Sequence, residues 1–206
     1  MQDRGMDMKK FGSAVILAGG KSTRMGFDKQ LLKLKKKRLI SIIVEKLNKE
    51  FNEIIIVTNK LEYYKGFRNK VITDEIKQKG PLSGIHAGLK EAESKYVYFI
   101  ACDMPNINLD YIRYMKKRIY KLDIDACVTK LGEWIEPFNS FYSKDIVKDI
   151  ECYLKDNRKA IYPLLKDLKT YYIEEKTARQ FSPNWNMFLN LNTKKDLKKY
   201  VDLLDF

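Results

Sequence analysis

The chain has 206 residues, of which 45% are hydrophobic and 33% charged, and its 40 lysines and arginines against 27 aspartates and glutamates give a net charge of +13. This length suits one domain with its own hydrophobic core, and no apolar run is long enough to cross a bilayer. The net positive charge is compatible with either a nucleic acid or a polyanionic small molecule as partner, so it does not distinguish between these two classes of partner.

Strand-like and helix-like patterns alternate along the chain after a polar stretch at residues 1–10, which lacks the apolar centre of a secretory signal. The apolar run Ile54–Val57 indicates a buried strand, whereas Leu39, Ile43 and Leu47 recur at helical spacing. The predicted strands are Ser13–Leu17, Glu53–Thr58, Val71–Thr73, Tyr96–Ala101, Asp125–Thr129, Pro137–Tyr142 and Thr170–Glu174. The predicted helices are Leu39–Phe51, Leu61–Gly66, Leu82–Ser94, one capped by Asp110 that reaches Lys121, one from Ser143 to about Leu154, Ala160–Leu168, and one capped by Thr193 that runs toward Leu204.

This alternation favours an α/β fold in which helices cover both faces of a mainly parallel sheet. No linker, repeat or low-complexity segment interrupts the pattern. We therefore predict a single Rossmann-like, three-layer α/β/α domain over residues 11–206, preceded by a loose tail at residues 1–10.

The number and spacing of the cysteines indicate the cellular compartment. Cys102, Cys127 and Cys152 are odd in number and far apart, so they form neither a metal-binding spacing nor a disulfide framework. A reducing environment suits such a set. We therefore expect a cytoplasmic protein that contacts no membrane.

The loop after the first strand has the composition of a phosphate-binding loop. Glycines allow backbone N–H groups to approach phosphate oxygens closely, and cations offset the phosphate charge. Two familiar loops are excluded: a Walker A loop needs glycine where Val15 stands, and the glycines do not fit the dinucleotide pattern G-x-G-x-x-G. The loop's glycines and main cations are Gly19, Gly20, Arg24, Gly26 and Lys29.

Polar side chains also follow the next three predicted strands. Asn59 follows the second strand, Asp74 the third and Asp103 the fourth. Because ligands of open α/β sheets bind beyond the carboxyl ends of the strands, these residues should share one edge with the glycine loop. A carboxylate such as Asp103 can hold Mg²⁺ against triphosphate oxygens. The sequence thus predicts a nucleoside triphosphate site with a metal ion.

These residues together resemble the molybdenum cofactor guanylyltransferase family of nucleotidyltransferases. The resemblance extends from Ala14 to about Leu197. It implies a nucleotide-diphospho-sugar-transferase-like fold and Mg²⁺-dependent transfer of GMP from GTP to the phosphate of molybdopterin bound with molybdenum, with release of pyrophosphate. The matching motifs are L-A-G-G-x-x-x-R-M-G-x-D-K at Leu17–Lys29, G-P-L at Gly80–Leu82, D-M-P at Asp103–Pro105 and N-x-N-T at Asn190–Thr193.

Residue chemistry and the resemblance together assign roles. We expect Asp103 to hold Mg²⁺, with Asn192 as the second candidate for the metal shell, and Asn190 and Asn192 to bind the acceptor. The sequence leaves two roles open for Asp74. Its carboxylate can accept hydrogen bonds from the N1–H and 2-amino groups of guanine, or it can hold the ribose. The expected catalytic residues are Arg24, Lys29 and Asp103, and the expected nucleotide contacts are Leu17, Ala18, Gly19, Gly20, Lys29, Asn59, Asp74, Gly80, Pro81 and Asp103.

The chain departs from the family pattern at several points. Ser83 replaces alanine in G-P-L-A-G, and lysines replace the proline and acid that follow N-x-N-T. Glu136–Tyr142 resembles the family segment E-P-L-x-A-x-Y and is expected to line the acceptor side, although several of its types differ. His86 is the sole histidine and is expected to be a helix residue rather than a general base.

Alternative functions remain open at the level of sequence. The loop reads phosphates rather than bases, so a relative that uses CTP or another phosphorylated acceptor fits equally well. The positive charge also admits a nucleic-acid-binding module, although no nucleic-acid motif is present and no nucleic acid is expected. A non-catalytic nucleotide sensor is disfavoured by Lys29 and Asp103. Contacts with cofactor-assembly proteins or molybdoenzymes are a further hypothesis.

Overall fold

A seven-stranded sheet forms the centre of the molecule. The computed structural model describes residues 8–19, 28–34, 36–76 and 80–202. In these residues the strands of the sheet follow the order β5-β4-β1-β6-β8-β7-β9, and β2 and β3 form a separate antiparallel pair. The strands are β1 (Ser13–Leu17), β2 (Lys33–Leu34), β3 (Lys37–Arg38), β4 (Glu53–Val57), β5 (Lys70–Ile72), β6 (Tyr96–Ala101), β7 (Ala126–Leu131), β8 (Trp134–Ser143) and β9 (Thr170–Ile173).

The sheet is parallel except for one strand. Strand β1 pairs in parallel with β4 on one side and β6 on the other, whereas β8 runs antiparallel between β6 and β7. The chain therefore reverses its direction of progress across the sheet between β1 and β6. A crevice forms at such a point, outside the carboxyl ends of the strands.

Helices cover both faces of the sheet, as predicted. Side chains of α1, α3, α6 and α7 pack on one face and those of α2, α4 and α5 on the other. The helices are α1 (Leu39–Leu47), α2 (Pro81–Glu91), α3 (Leu109–Ile119), α4 (Val147–Lys155), α5 (Ile161–Asp167), α6 (Glu175–Phe181) and α7 (Lys194–Asp202), with short 3₁₀ turns at Lys29–Leu31, Leu61–Tyr64, Lys144–Ile146 and Asn186–Phe188.

The central strands are buried on both faces. In β1, Ala14 and Ile16 face one hydrophobic cluster and Val15 faces the other, because successive side chains of a strand alternate. Helix α2 lies especially close to this strand: a Cβ added at Gly88 would be 2.8 Å from Val15 Cγ1 and 2.9 Å from Phe99 Cε1. This close packing brings the N-terminus of α2 to the carboxyl ends of the central strands.

Most predicted elements are confirmed, and some differ. Strands Ser13–Leu17 and Tyr96–Ala101 have the predicted bounds, whereas helix α1 ends at Leu47 rather than at Phe51. The predicted cap of α3, Asp110, was wrong: the cap is Asn108, whose side chain accepts a hydrogen bond from Tyr111 N. Sequence reasoning missed helix α6 entirely.

Strand β8 spans Trp134–Ser143, longer than the predicted Pro137–Tyr142, and it contains a bulge. Residues 137–140 lie between the pairs Cys127–Phe141 and Thr129–Glu136, opposite Val128 alone. The extra residues include Asn139, which is fully buried with a φ of 59°. A bulge redirects side chains locally.

The predicted tail is partly folded. Residues 8–11 are helical, and Lys9 O accepts a hydrogen bond from Lys95 N. The last residues of the segment expected to be loose therefore contact the rest of the protein. None of the helices in the described ranges is long and apolar enough to span a membrane.

Candidate active site

A large cavity lies at the carboxyl edge of the sheet, where β1 adjoins β6. Its volume is about 870 Å³, which falls within the range of cavities that hold small ligands. Residues from the ends of β1, β4 and β6, from the segment after β5 and from the start of α2 line it. The lining residues are Leu17, Gly19, Asp28, Lys29, Gln30, Val57, Thr58, Asn59, Lys60, Asp74, Gly80, Pro81, Gly84, Ala101, Cys102, Asp103, Phe138 and Asn190.

Backbone hydrogen bonds continue past the strands and hold this edge together. Ala18 N donates to Val57 O at 2.8 Å, Cys102 N to Leu17 O at 3.0 Å, and Thr58 N to Ile72 O at 2.9 Å. Backbone hydrogen bonds therefore connect the strand ends from which the polar residues extend.

Lys29, Asp103 and Asn192 meet at one side of the cavity. Lys29 Nζ lies 2.8 Å from Asp103 Oδ2, and these side chains are only 19% and 15% exposed. The same ammonium donates to Asn192 Oδ1. The two oxygens therefore converge on one cationic position.

The surrounding backbone explains this convergence. Asp28 Oδ1 accepts from Gln30 N at 3.1 Å and caps the 3₁₀ turn that begins with Lys29. On the other side, Leu191 N donates to Asp103 O at 2.9 Å, which ties the asparagine segment to the loop after β6. The 3₁₀ turn that carries Lys29 and the loop after β6 that carries Asp103 are thus held by separate hydrogen bonds. The side chains of Lys29 and Asp103 meet between them.

The opposite side of the cavity offers a buried acceptor and a helix N-terminus. Asp74 Oδ1 is buried and has no hydrogen-bond partner among the described residues. Nearby Gly80 adopts a φ of 75°, which favours glycine, and Pro81 begins α2. An unsatisfied buried carboxylate oxygen fits a ligand that donates hydrogen bonds there.

The structure brings most of the predicted site residues together. Ala18 is fully buried and does not line the cavity, and Asn192 reaches the site through its contact with Lys29. Gly20 and Arg24 lie outside the described residues. The predicted residues that line the cavity are Leu17, Gly19, Lys29, Asn59, Asp74, Gly80, Pro81, Asp103 and Asn190.

Several cavity residues were missed by sequence reasoning. Asp28, Gln30, Thr58 and Lys60 each lie beside a predicted residue in the chain, and Asp28 is in addition a matching position of the motif at Leu17–Lys29. Phe138 lies in the segment expected on the acceptor side, and the bulge of β8 brings it to the cavity.

Two other groups are unsuited to proton transfer or nucleophilic attack at this cavity. Burial raises the pKa of the Cys102 thiol to about 12, with a smaller contribution from the negative charge of Asp103. His86 is buried on α2, and its Nε2 lies 2.9 Å from Glu151 Oε1. The contact with α4 agrees with the expectation that His86 is a helix residue rather than a base.

A mainly parallel sheet with a cavity at its switch point, lined by Gly19, Lys29 and the aspartates Asp28, Asp74 and Asp103, matches the nucleotide-diphospho-sugar-transferase fold of nucleotidyltransferases. The sequence comparison narrows this class. The chain belongs to the MobA-like NTP transferase family, whose model matches residues 14–171.

Individual relatives agree with this assignment. The chain is 56% identical over 191 residues to a molybdenum cofactor guanylyltransferase of Syntrophotalea carbinolica, covering 93% of this chain and 91% of that one. A probable molybdenum cofactor guanylyltransferase of Peptoclostridium acidaminophilum is 56% identical over 197 residues, with coverages of 93% and 89%. The crystal structure of molybdopterin-guanine dinucleotide biosynthesis protein A from Archaeoglobus fulgidus has a TM-score of 0.82 at 24% identity and covers 94% of this chain and 98% of that one. The predicted family, enzyme class and fold are therefore confirmed.

Proposed function

We propose that this protein transfers GMP from GTP to the phosphate of molybdopterin that carries molybdenum, releasing pyrophosphate. The observation that carries the proposal is the 56% identity to the Syntrophotalea carbinolica guanylyltransferase over nearly the whole chain. The cavity supports it, because its volume and lining suit a nucleoside triphosphate. Membership of a nucleotidyltransferase family favours this activity over nucleic-acid binding. We propose that residues 11–206 form one nucleotidyltransferase domain.

The nucleotide occupies the cavity between β1, β4 and α2 in this proposal. Backbone amides of the loop that begins at Gly19 and Gly20 hold the triphosphate, and Asn59, Gly80 and Pro81 enclose the nucleoside. Asp74 accepts hydrogen bonds from the N1–H and 2-amino groups of guanine, which satisfies its buried Oδ1.

Magnesium fits the oxygen donors of the site. Asp103 Oδ2 and Asn192 Oδ1 already converge on a cation, the Lys29 ammonium. Mg²⁺ prefers such oxygens and commonly takes its other ligands from water and substrate phosphates. Among the residues that the structure describes, no cluster of three or more His, Cys, Asp or Glu side chains forms a complete protein cage. We propose that Asp103 holds Mg²⁺ with help from Asn192, and that the bound ion neutralises charge on phosphate oxygens.

The protein promotes the reaction by supplying cationic side chains and by aligning the two anionic substrates. Lys29 stabilises negative charge at the α-phosphate, and Arg24, which lies outside the described residues, acts on the leaving pyrophosphate. The acceptor phosphate is already ionised at neutral pH, so its attack requires no protein base. The chain's task is to align two anions in line and to offset their repulsion.

The acceptor lies on the side of the cavity formed by Phe138 and Asn190. Both residues line the cavity, and Asn192 follows on the same extended segment. We propose that Asn190 and Asn192 bind molybdopterin and that docking of cofactor-assembly proteins or molybdoenzymes occurs at this open side. A cytoplasmic location belongs to the same proposal, because all three cysteines are free.

The test is pyrophosphate release from GTP, CTP, UTP and ATP, each with Mg²⁺ and with or without molybdopterin that carries molybdenum. We expect release from GTP alone and only when the acceptor is present. Mass spectrometry of the product should show the guanine dinucleotide form of the cofactor. Preference for CTP would contradict the assigned nucleotide, and release without the acceptor would contradict the assigned acceptor.

A further inference from the structure

A buried network of polar side chains forms part of the wall of the nucleotide cavity, which Gln30 and Thr58 line. Gln30 is only 5% exposed, and its Oε1 accepts from Thr58 Oγ1 at 2.7 Å and from Tyr64 Oη at 3.1 Å. Arg38 Nη2 donates to the backbone carbonyl of Gln30 at 2.9 Å, and its guanidinium lies 5.0 Å from the centre of the Tyr64 ring. We call Gln30, Arg38, Thr58 and Tyr64 the Gln30 network.

The Gln30 network connects two parts of the cavity that are distant in sequence. Gln30 follows Lys29 in the 3₁₀ turn that presents the lysine to Asp103. Thr58 stands at the end of β4, directly before Asn59, and its Oγ1 also accepts from Lys60 N at 3.0 Å. The amide of Gln30 is therefore a buried side-chain link between the lysine turn and the segment from Thr58 to Lys60, beside the more exposed ion pair of Lys60 Nζ with Asp28 Oδ2 at 3.9 Å.

The buried hydroxyl groups make this link specific. Thr58 is 2% exposed and Tyr64 is 3% exposed. A buried hydroxyl without an acceptor costs free energy, so both hydroxyls hold the Gln30 amide in one orientation. These hydrogen bonds keep the neighbouring Lys29 side chain within a narrow range of positions.

We infer that Gln30 is a positioning residue for nucleotidyl transfer, which fixes the distance between the Lys29 ammonium and the nucleoside side of the cavity. The inference rests on the proposed nucleotidyltransferase reaction. Lys29 acts on the reacting phosphate, whereas Asn59 contacts the nucleoside, and one nucleotide has to meet both. Without the Gln30 amide each contact survives separately, but their alignment is lost.

The expected kinetic result follows from these separate roles of Lys29 at the phosphate and Asn59 at the nucleoside. Gln30→Leu should lower kcat by about 10-fold to 100-fold, since small displacements of a catalytic group have effects of that size. The KM for the nucleotide should change by less than about threefold, because the binding groups themselves remain. A purely structural role would lower Tm without changing kcat at saturating substrate well below Tm.

Two milder variants keep the test valid if Gln30→Leu folds poorly. Thr58→Val and Tyr64→Phe each remove one hydroxyl that donates to Gln30 and should each lower kcat. Thr58→Ser keeps the hydroxyl and should retain activity. Tyr153→Phe is the matched control for Tyr64→Phe, because it removes the hydroxyl of a similarly buried tyrosine that donates to Ala160 O at 2.9 Å and does not line the cavity.

A double-mutant cycle between Gln30→Leu and Tyr64→Phe tests the link itself. We expect the double variant to have a kcat within about twofold of Gln30→Leu alone, because both changes break the same connection. Wild-type kcat in all network variants would overturn the inference, and so would additive losses in the double variant. The cycle uses whichever nucleotide the wild-type protein turns over, so a preference other than GTP would reject the proposed guanylyl transfer while still testing Gln30.

Discussion

Lys29 and Asp103 form an ion pair at the carboxyl edge of the sheet, with Nζ and Oδ2 2.8 Å apart. The residues are separated by 74 positions in the sequence, and Asn192, more distant still, contacts the same ammonium. Because Asp103 and Asn192 are also the proposed metal ligands, the lysine and the metal ion compete for the same oxygens. Binding of a triphosphate would attract Lys29 toward the phosphates and release these oxygens.

This competition predicts that removal of the ammonium strengthens metal binding in the absence of nucleotide. Lys29→Met should bind Mn²⁺ about tenfold or more tightly than the wild type, since a positive charge next to the site no longer repels the ion. Electron paramagnetic resonance of free Mn²⁺ measures the affinity without any turnover. Lys29→Arg keeps the charge and should resemble the wild type. Unchanged or weaker binding by Lys29→Met would contradict the competition.

The metal role of Asp103 predicts loss of turnover with little loss of stability. Asp103→Ala should lower pyrophosphate release by about 100-fold or more, since preorganised charge stabilisation at phosphate is lost. The fold should persist, because the aspartate side chain is partly solvent-exposed and belongs to no hydrophobic cluster. Circular dichroism and Tm check the fold. Asp110→Ala, an exposed aspartate on α3, is the matched control and should stay active, whereas near-normal turnover by Asp103→Ala would rule out the metal role.

Asp74 predicts discrimination between bases that differ at the 2-amino group. The wild type should prefer GTP over inosine triphosphate by about 10-fold to 100-fold, the value of one hydrogen bond to a charged acceptor. In Asp74→Asn this preference should fall to within about threefold, as measured by kcat/KM. The ratio of GTP to 2′-deoxy-GTP should stay unchanged. If that second ratio collapses instead, Asp74 holds the ribose rather than the base.

The cysteines predict a simple labelling pattern. Burial raises the pKa of the Cys102 thiol to about 12, so this thiol is protonated at pH 8. Cys127 is buried and its pKa is raised as well, whereas Cys152 is exposed. Iodoacetamide at pH 8 should therefore label Cys152 rapidly in the native protein and all three thiols after denaturation. Rapid labelling of native Cys102, detected by peptide mass spectrometry, would contradict the buried environment.

Sequence patterns predicted the elements whose burial is uniform. Ser13–Leu17 and Tyr96–Ala101 are central strands covered on both faces, so an uninterrupted apolar run identifies them. Helix α6 was missed because only Ala178 of Glu175–Phe181 is buried, which leaves too little apolar periodicity. The bulge of β8 was missed because it depends on pairing with β7.

Single segments of the sequence predict the kinds of chemistry at the site. Glycines and cations after β1 and a carboxylate after β6 indicate a phosphate site with a metal ion, because the order of polar residues after parallel strands needs no knowledge of packing. That property of a parallel sheet explains why Asn59, Asp74 and Asp103 were predicted to share one edge and do line one cavity.

The sequence by itself determined the fold class and the enzyme family, and it predicted the residue types that would bind phosphate. The tertiary structure decided which side chains touch: that Lys29 lies between Asp103 and Asn192, and that Gln30 accepts from Thr58 and Tyr64. Periodicity describes how each segment meets solvent or core, whereas these contacts depend on strand order, loop closure and close packing between distant segments. A local sequence pattern gives no information about the distance between segments that are far apart in the chain.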